Sequence, residues 1–171
     1  MISITEGRLT FDFPDGWNAM KYDAWTYYIR SFQSVGGGCK GVDLVAFPSS
    51  SRDCLWLIEI KDYEVAPRQK NLELVEEIVI KVRDTLAGLA AARWRATKED
   101  EAGFASLALQ CRDVKVVLHL EQPRNPTRLH PTEDVSKLVL KLKERLRAID
   151  NHPRIASLND GRSFGWTVRR A

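Results

Sequence analysis

A run of apolar residues in this sequence leads directly into charged ones, in the segment LWLIEIKDY at residues 55–63. Alternate residues of a β-strand share a face, so Glu59 and Lys61 are predicted to continue the face that begins with Leu55 and Leu57. Burial of an unpaired carboxylate or ammonium group costs considerable free energy. The charged end of this strand must therefore open into a cleft, form an internal ion pair or hold an ion.

A second carboxylate, Asp43, interrupts the preceding apolar segment GVDLVAF. The loop PSSSRD between the two segments predicts a hairpin that places Asp43 beside Glu59. Two adjacent carboxylates repel each other and raise the pKa of one of them, and Mg²⁺ relieves that repulsion. The ammonium group of Lys61 could orient a water molecule or stabilise charge on a phosphate. An ion pair between Lys61 and either carboxylate is the alternative.

Asp43 followed by Glu59-Ile60-Lys61 resembles the D…(D/E)xK signature of the PD-(D/E)XK nuclease superfamily. The resemblance extends over residues 18–122, because the order of predicted elements is similar to the core of that superfamily. These elements are a helix over 18–33, strands over 42–47 and 55–63, a helix over 67–96 and a strand over 114–122.

The resemblance implies a metal-dependent nuclease that hydrolyses the phosphodiester bonds of nucleic acid. A DNA endonuclease is the first candidate. The same resemblance implies that Asp43, Glu59 and the Ile60 carbonyl bind Mg²⁺ or Mn²⁺, with Asp23 as an additional ligand. It also implies that Asp43, Glu59 and Lys61 are catalytic, with Lys61 activating the attacking water. The alternative is a catalytically inactive module with the nuclease fold that binds nucleic acid or protein. A Lys61 held in an ion pair would favour that alternative.

The remaining patterns predict an α/β fold with a central mixed β-sheet flanked by helices, arranged as a restriction-endonuclease-like core. ISITEGRLTFDF predicts a strand or hairpin, and SFGWTVRR predicts a final edge strand. A short helix is predicted over 104–110, and a second one is predicted to run from a cap at Thr132 to Ile149. We predict a single domain over 1–171, with a basic helix and β-tail over 123–171.

The net charge of +3 is unevenly distributed, because residues 111–171 contain 13 Lys/Arg and 7 Asp/Glu. Such an excess indicates a polyanionic partner, and we predict nucleic acid, with DNA as the first candidate. Solvated helix faces are the alternative explanation of these charges. The predicted contacts lie on the helices, at Arg68, Gln69, Lys70, Lys137, Lys141 and Arg145. A homodimer is a further candidate assembly.

The composition is typical of a globular protein, with 44% hydrophobic and 29% charged residues. No apolar run approaches the length of a membrane span, and the N-terminal residues lack a secretory signal pattern. The three cysteines are widely spaced and form no CxxC motif, which argues against a disulfide framework or a structural zinc site. We therefore predict a cytoplasmic protein without a membrane partner.

Overall fold

The computed structural model describes residues 1–64, 72–128, 130–160 and 164–171. The strands are β1 (Ile2–Glu6), β2 (Leu9–Phe13), β3 (Trp17–Lys21), β4 (Leu44–Pro48), β5 (Cys54–Asp62), β6 (Asp113–Glu121), β7 (Arg154–Ala156) and β8 (Thr167–Arg170). The helices are α1 (Leu74–Arg95), α2 (Glu99–Ala108) and α3 (Val135–Leu146). No helix of the described residues is long and apolar enough to cross a membrane.

The main sheet has the order β3-β4-β5-β6-β7. Neighbours from β3 to β5 are antiparallel, whereas β5, β6 and β7 are parallel. This mixed sheet with its helices confirms the predicted α/β class. A restriction-endonuclease-like core is not confirmed. The short strand β7, which the sequence analysis did not predict, extends the sheet beyond β6.

The two faces of the main sheet are covered by different elements. The three helices α1, α2 and α3 contribute to the core on one face, which also contains Leu55 and Leu57 of β5. Ile58 and Ile60 belong to a second core that is shared with β2. The predicted alternation of β5 is therefore confirmed, and Glu59 and Lys61 follow Leu57 on the helical face.

A second sheet, with the order β1-β2-β8, covers the other face. The hairpin of β1 and β2 and the edge strand β8 agree with the predicted strands. The sequence pattern did not show that they form a sheet of their own. Its central strand β2 buries Leu9, Phe11 and Phe13 completely, so this sheet closes the second core.

The helix predicted over 18–33 is wrong. Residues Trp17–Lys21 form β3, and two isolated turns follow, a 3-10 turn at Tyr22–Ala24 and a π-helical turn at Tyr28–Phe32. The pairing of β3 with β4 decides this local structure, since Met20 lies opposite Val45 in the antiparallel register. Aromatic residues favour helices weakly, and tertiary contacts override such preferences.

The boundaries of the other helices also differ from the predicted ones. The helix α1 begins at Leu74, and residues 67–71 of the predicted helix lie outside the described residues. The helix α2 begins at Glu99, where three acidic residues occupy its positively polarised first turn. The cap of α3 is Asp134, whose side chain accepts a hydrogen bond from the Lys137 amide, and not Thr132.

Gly88 allows α1 to pack against a buried tyrosine. A Cβ atom on Gly88 would lie 1.9 Å from the Tyr22 hydroxyl oxygen, and Tyr22 is fully buried. Overpacking of this kind typically costs about 1–3 kcal/mol. We therefore expect Gly88→Ala to lower the free energy of unfolding by about that amount, as measured by urea denaturation.

Gly103 provides the matched control, because it is also helical and a Cβ atom there would meet nothing within 4 Å. Gly103→Ala should raise the stability by up to about 1 kcal/mol, since alanine favours helices over glycine. Equal effects of the two substitutions would contradict this account of Gly88.

Candidate functional site: a buried network of carboxylates and lysines

The Glu59 side chain is fully buried between β5 and α1, where two lysines contact the same carboxylate oxygen. The Nζ atoms of Lys61 and Lys81 each lie 2.6 Å from Glu59 Oε1. Lys61 follows on the same face of β5, and Lys81 comes from α1, which packs against that face. The strand and the helix are thus joined by one shared carboxylate.

Two further carboxylates complete the arrangement, which we call the Glu59 network (Asp43, Glu59, Lys61, Glu77 and Lys81). Glu77 Oε1 lies 3.1 Å from Lys61 Nζ, and Asp43 Oδ1 lies 3.6 Å from Lys81 Nζ. The other oxygen of Asp43, Oδ2, accepts a hydrogen bond of 2.6 Å from the Ile60 amide. Both ammonium groups therefore lie between carboxylates, and Asp43 also fixes the backbone of β5.

The burial of these groups changes their protonation equilibria. Burial raises the pKa of Glu59 to about 7, and the neighbouring Asp43 acts in the same direction, while Lys81 and Lys61 oppose it. Burial acts to lower the pKa values of both lysines, but the nearby carboxylates outweigh it and raise them. The two lysines consequently stay charged. At Glu59 the effect of burial on the pKa exceeds the opposing effect of the two ammonium groups.

The structure brings Asp43, Glu59 and Lys61 together, as the sequence analysis expected of its candidate site. Their catalytic roles stay predictions. The sequence analysis missed Glu77 and Lys81, although a signal was present: they are charged residues four positions apart on α1, and Ile78, Val79 and Ile80 lie between them. Residues at this spacing share a helix face, so two charges at the edge of the apolar stripe indicate partners inside the protein.

The predicted Mg²⁺ or Mn²⁺ site does not fit the side chains as they are arranged. Glu59 Oε1 is occupied by two ammonium groups, and Asp43 Oδ2 is bound by the Ile60 amide hydrogen. No group of three or more His, Cys, Asp or Glu side chains in the described part of the chain could hold a metal ion. Glu59 Oε2 is buried and lacks a hydrogen-bond partner. Metal binding by Asp43, Glu59 and the Ile60 carbonyl stays an untested prediction.

Asp23, the proposed additional ligand, is half-buried beside β3. Burial raises the pKa of its carboxyl group, Asp43 acts in the same direction, and Lys21 and Lys81 oppose the change. Its Oδ1 atom is buried without a hydrogen-bond partner among the described residues.

The cations predicted to bind nucleic acid on α3 are paired with acidic residues. Lys141 forms an ion pair with Glu73, and Arg145 contacts Glu76 at 2.5 Å. Lys137 lies 3.5 Å from Asp134 in the first turn of the helix. The other three predicted contacts, at Arg68, Gln69 and Lys70, lie outside the described residues. Lys141 and Arg145 therefore pair with the start of α1, whereas Lys137 pairs with the cap of its own helix.

The opposite flank of α3 borders a groove of about 460 Å³. We call it the α3–β7 groove, and it is lined by Lys115, Val139, Lys143, His152, Pro153 and Arg154. Lys143 has no ion pair with any described residue. Lys115 is paired with Asp113 at 2.7 Å. Four basic residues, Lys115, Lys143, His152 and Arg154, thus line this groove.

Arg154 lines the groove, and its guanidinium group packs against aromatic side chains of the second core. Its guanidinium carbon lies 5.8 Å from the centre of the Trp56 ring and 5.6 Å from that of Phe164. Cation–π contacts of this kind restrict the guanidinium group without neutralising its charge.

The comparison with known proteins gives one similarity over most of the chain. The sequence is 36% identical, over an alignment 177 positions long, to the cysteine–tRNA ligase of Neisseria meningitidis serogroup A, with 85% of this chain covered. The chain spans about a quarter of the length of that protein, since the match covers 25% of it. No family model matches the chain. No solved structure gives a significant match.

This similarity corrects the identification with the PD-(D/E)XK nucleases, which is wrong. The related protein is a tRNA ligase, so neither a nuclease nor a Mg²⁺-dependent phosphodiesterase is supported. The inactive nuclease-fold module has no clear support either, and nothing supports DNA or a homodimer. The structure gives physical reasons for the error: the first helix of the predicted core is absent, and Lys61 is held between Glu59 and Glu77.

The pairing in the Glu59 network predicts a large loss of stability when one lysine is removed. Lys81→Met keeps most of the apolar stem but leaves Glu59 and Asp43 with one ammonium group fewer. Breaking a buried ion pair typically costs about 3–5 kcal/mol, and we expect a decrease of that size in the free energy of unfolding. Lys137→Met, which removes a largely exposed pair, should cost less than about 1 kcal/mol. Similar losses in the two variants would contradict a stabilising network.

The raised pKa of Glu59 predicts a specific pH dependence of stability. Below pH 4.5, the ordinary value, Glu59 is protonated in both the folded and the unfolded chain. Between pH 4.5 and about 7 the unfolded chain releases the proton first, so this contribution to stability is lost as the pH rises. Urea denaturation should show wild type losing stability relative to Glu59→Gln over this interval. A difference that is constant with pH would refute the assignment.

Proposed function

We propose that this chain is an RNA-binding domain that contacts phosphate groups through the α3–β7 groove. The observation that carries the proposal is the convergence of Lys115, Lys143, His152 and Arg154 on one groove. Phosphate contacts by lysine and arginine supply most of the sequence-independent affinity of proteins for nucleic acids. A groove with several cations is therefore suited to a polyanion.

The distribution of charge on α3 supports this choice of surface. Lys141 and Arg145 on one flank already have carboxylate partners from α1, so an approaching phosphate would compete with those pairs. Lys143 on the other flank has no such partner among the described residues. Arg154 keeps its full charge against aromatic rings. Two cations without a carboxylate partner among the described residues, Lys143 and Arg154, therefore line the groove, away from the flank that the sequence analysis selected.

The similarity to a cysteine–tRNA ligase is the reason for choosing RNA as the partner. That protein is named for a ligation reaction on tRNA, and the matched segment is only a quarter of it. We propose that the segment supplies RNA binding and not the ligation reaction. The glycine-rich stretch GGGCKG in this sequence has neither the P-loop nor the dinucleotide-binding pattern, which agrees with a binding role.

The Glu59 network has a structural role in this proposal. Both of its lysines contact internal carboxylates, and their side chains are only 14% exposed. They are therefore poorly placed to bind a phosphate from solvent. The network joins β5 to α1 and holds the sheet against the helical layer.

Lys143→Glu tests this surface directly. The substitution should weaken the binding of bacterial tRNA and lower the slope of log affinity against log salt by about 0.7–0.9 for each lost phosphate contact. The measurement is fluorescence anisotropy of labelled tRNA at several salt concentrations.

Lys141→Glu is the matched control, because it makes the same change of charge on the same helix but on the flank that faces α1. Its effect on tRNA binding should be clearly smaller. Equal effects would indicate attraction by net charge alone and reject the groove. A wild-type chain that does not bind tRNA would refute RNA binding.

A further inference from the structure

A tryptophan at the end of α1 is unusually exposed. Trp94 keeps 72% of its surface in contact with solvent, and its ring contacts no other aromatic ring in the described residues. By contrast, the aromatic side chains of Tyr22, Trp25 and Phe32 are buried in the core. Trp94 therefore contributes little to the packing of the domain.

Two arginines lie on either side of this ring. Successive residues of a helix are separated by about 100° around its axis, so Arg93 and Arg95 project to the two sides of Trp94. Both are exposed, and neither has an acidic partner in the part of the chain that the structure describes. A large aromatic surface between two free guanidinium groups is thus presented to solvent.

We propose that Trp94 stacks on an unpaired nucleobase of RNA while Arg93 and Arg95 contact the adjoining phosphates. This inference rests on the proposed function and makes it more specific, since it selects single-stranded segments or loops. Unstacked RNA bases are bound by aromatic side chains and by arginine planes, whereas paired bases are inaccessible to them. The charge on both sides of the ring favours a polyanion over an apolar protein surface.

The surroundings of Trp94 restrict the path of the strand. Glu99 and Asp100 lie in the first turn of α2, beyond the end of α1, and would repel phosphates on that side. The phosphates are therefore placed beside Arg93 and Arg95. The end of α1 that carries Trp94 also lies away from the Glu59 network, because Glu77 and Lys81 of that network belong to the first two turns of the helix.

The test compares a single-stranded oligouridine of about twelve nucleotides, within the size range of such sites, with an RNA duplex of the same length. Trp94→Ala should weaken the binding of oligouridine by about 5- to 150-fold, the range expected for the loss of one stacked base. It should leave duplex binding unchanged. Trp94→Tyr should restore most of the affinity, because tyrosine can also stack.

Leu140→Ala is the control for the loss of an exposed apolar side chain, since Leu140 is 67% exposed on α3. It should bind both RNAs as wild type does. If Trp94→Ala binds oligouridine like wild type, or weakens both RNAs equally, stacking on Trp94 is rejected while the groove can still be judged from Lys143→Glu. If wild type binds neither these RNAs nor tRNA, the proposed function fails as well.

Discussion

The contact on which the rest of the structure depends is the one between the Glu59 carboxylate and two ammonium groups. It lies where the apolar part of β5 ends, and it connects the central sheet with α1. A buried carboxylate is tolerated only when charges and hydrogen bonds compensate its loss of hydration. The sequence supplies that compensation from two elements, through Lys61 of β5 and Lys81 of α1. Their relative positions are therefore constrained by electrostatics as well as by apolar packing.

Ion pairing within the protein also divides the basic side chains of α3 into those that already have a carboxylate partner and those that do not. Cations that face the start of α1 are paired with its acidic residues, whereas Lys143 faces an open groove. A count of basic residues along the sequence cannot make this distinction, because both groups alternate on one helix. The basic side chains that can attract an anionic partner are those that remain without an internal ion pair after folding.

Much of the architecture could be predicted from local patterns. The alternation in LWLIEIKDY placed Glu59 and Lys61 on one face, and the apolar stripe of α1 predicted a long helix. The error over residues 18–33 has a physical cause, since aromatic residues at helical spacing fill a core equally well from a strand and two short turns. The predicted catalytic site had a related weakness. The signature Asp43…Glu59-Ile60-Lys61 specifies which charges lie close together but not whether they bind a metal or one another, and Lys81, which shares Glu59 Oε1, belongs to a distant segment.

The pairing of β8 with β2 affects how the chain can fold. Leu9 lies opposite Arg170 in this antiparallel pair, so its formation closes a loop that contains nearly all the other elements. Closure of so long a loop is entropically costly and is favoured late, after the main sheet has formed. Until then the second core lacks part of its cover, with Phe11 and Ile58 near an incomplete surface. The slowest step of folding is consequently expected at this sheet, and an intermediate that lacks β8 would be the species most exposed to aggregation.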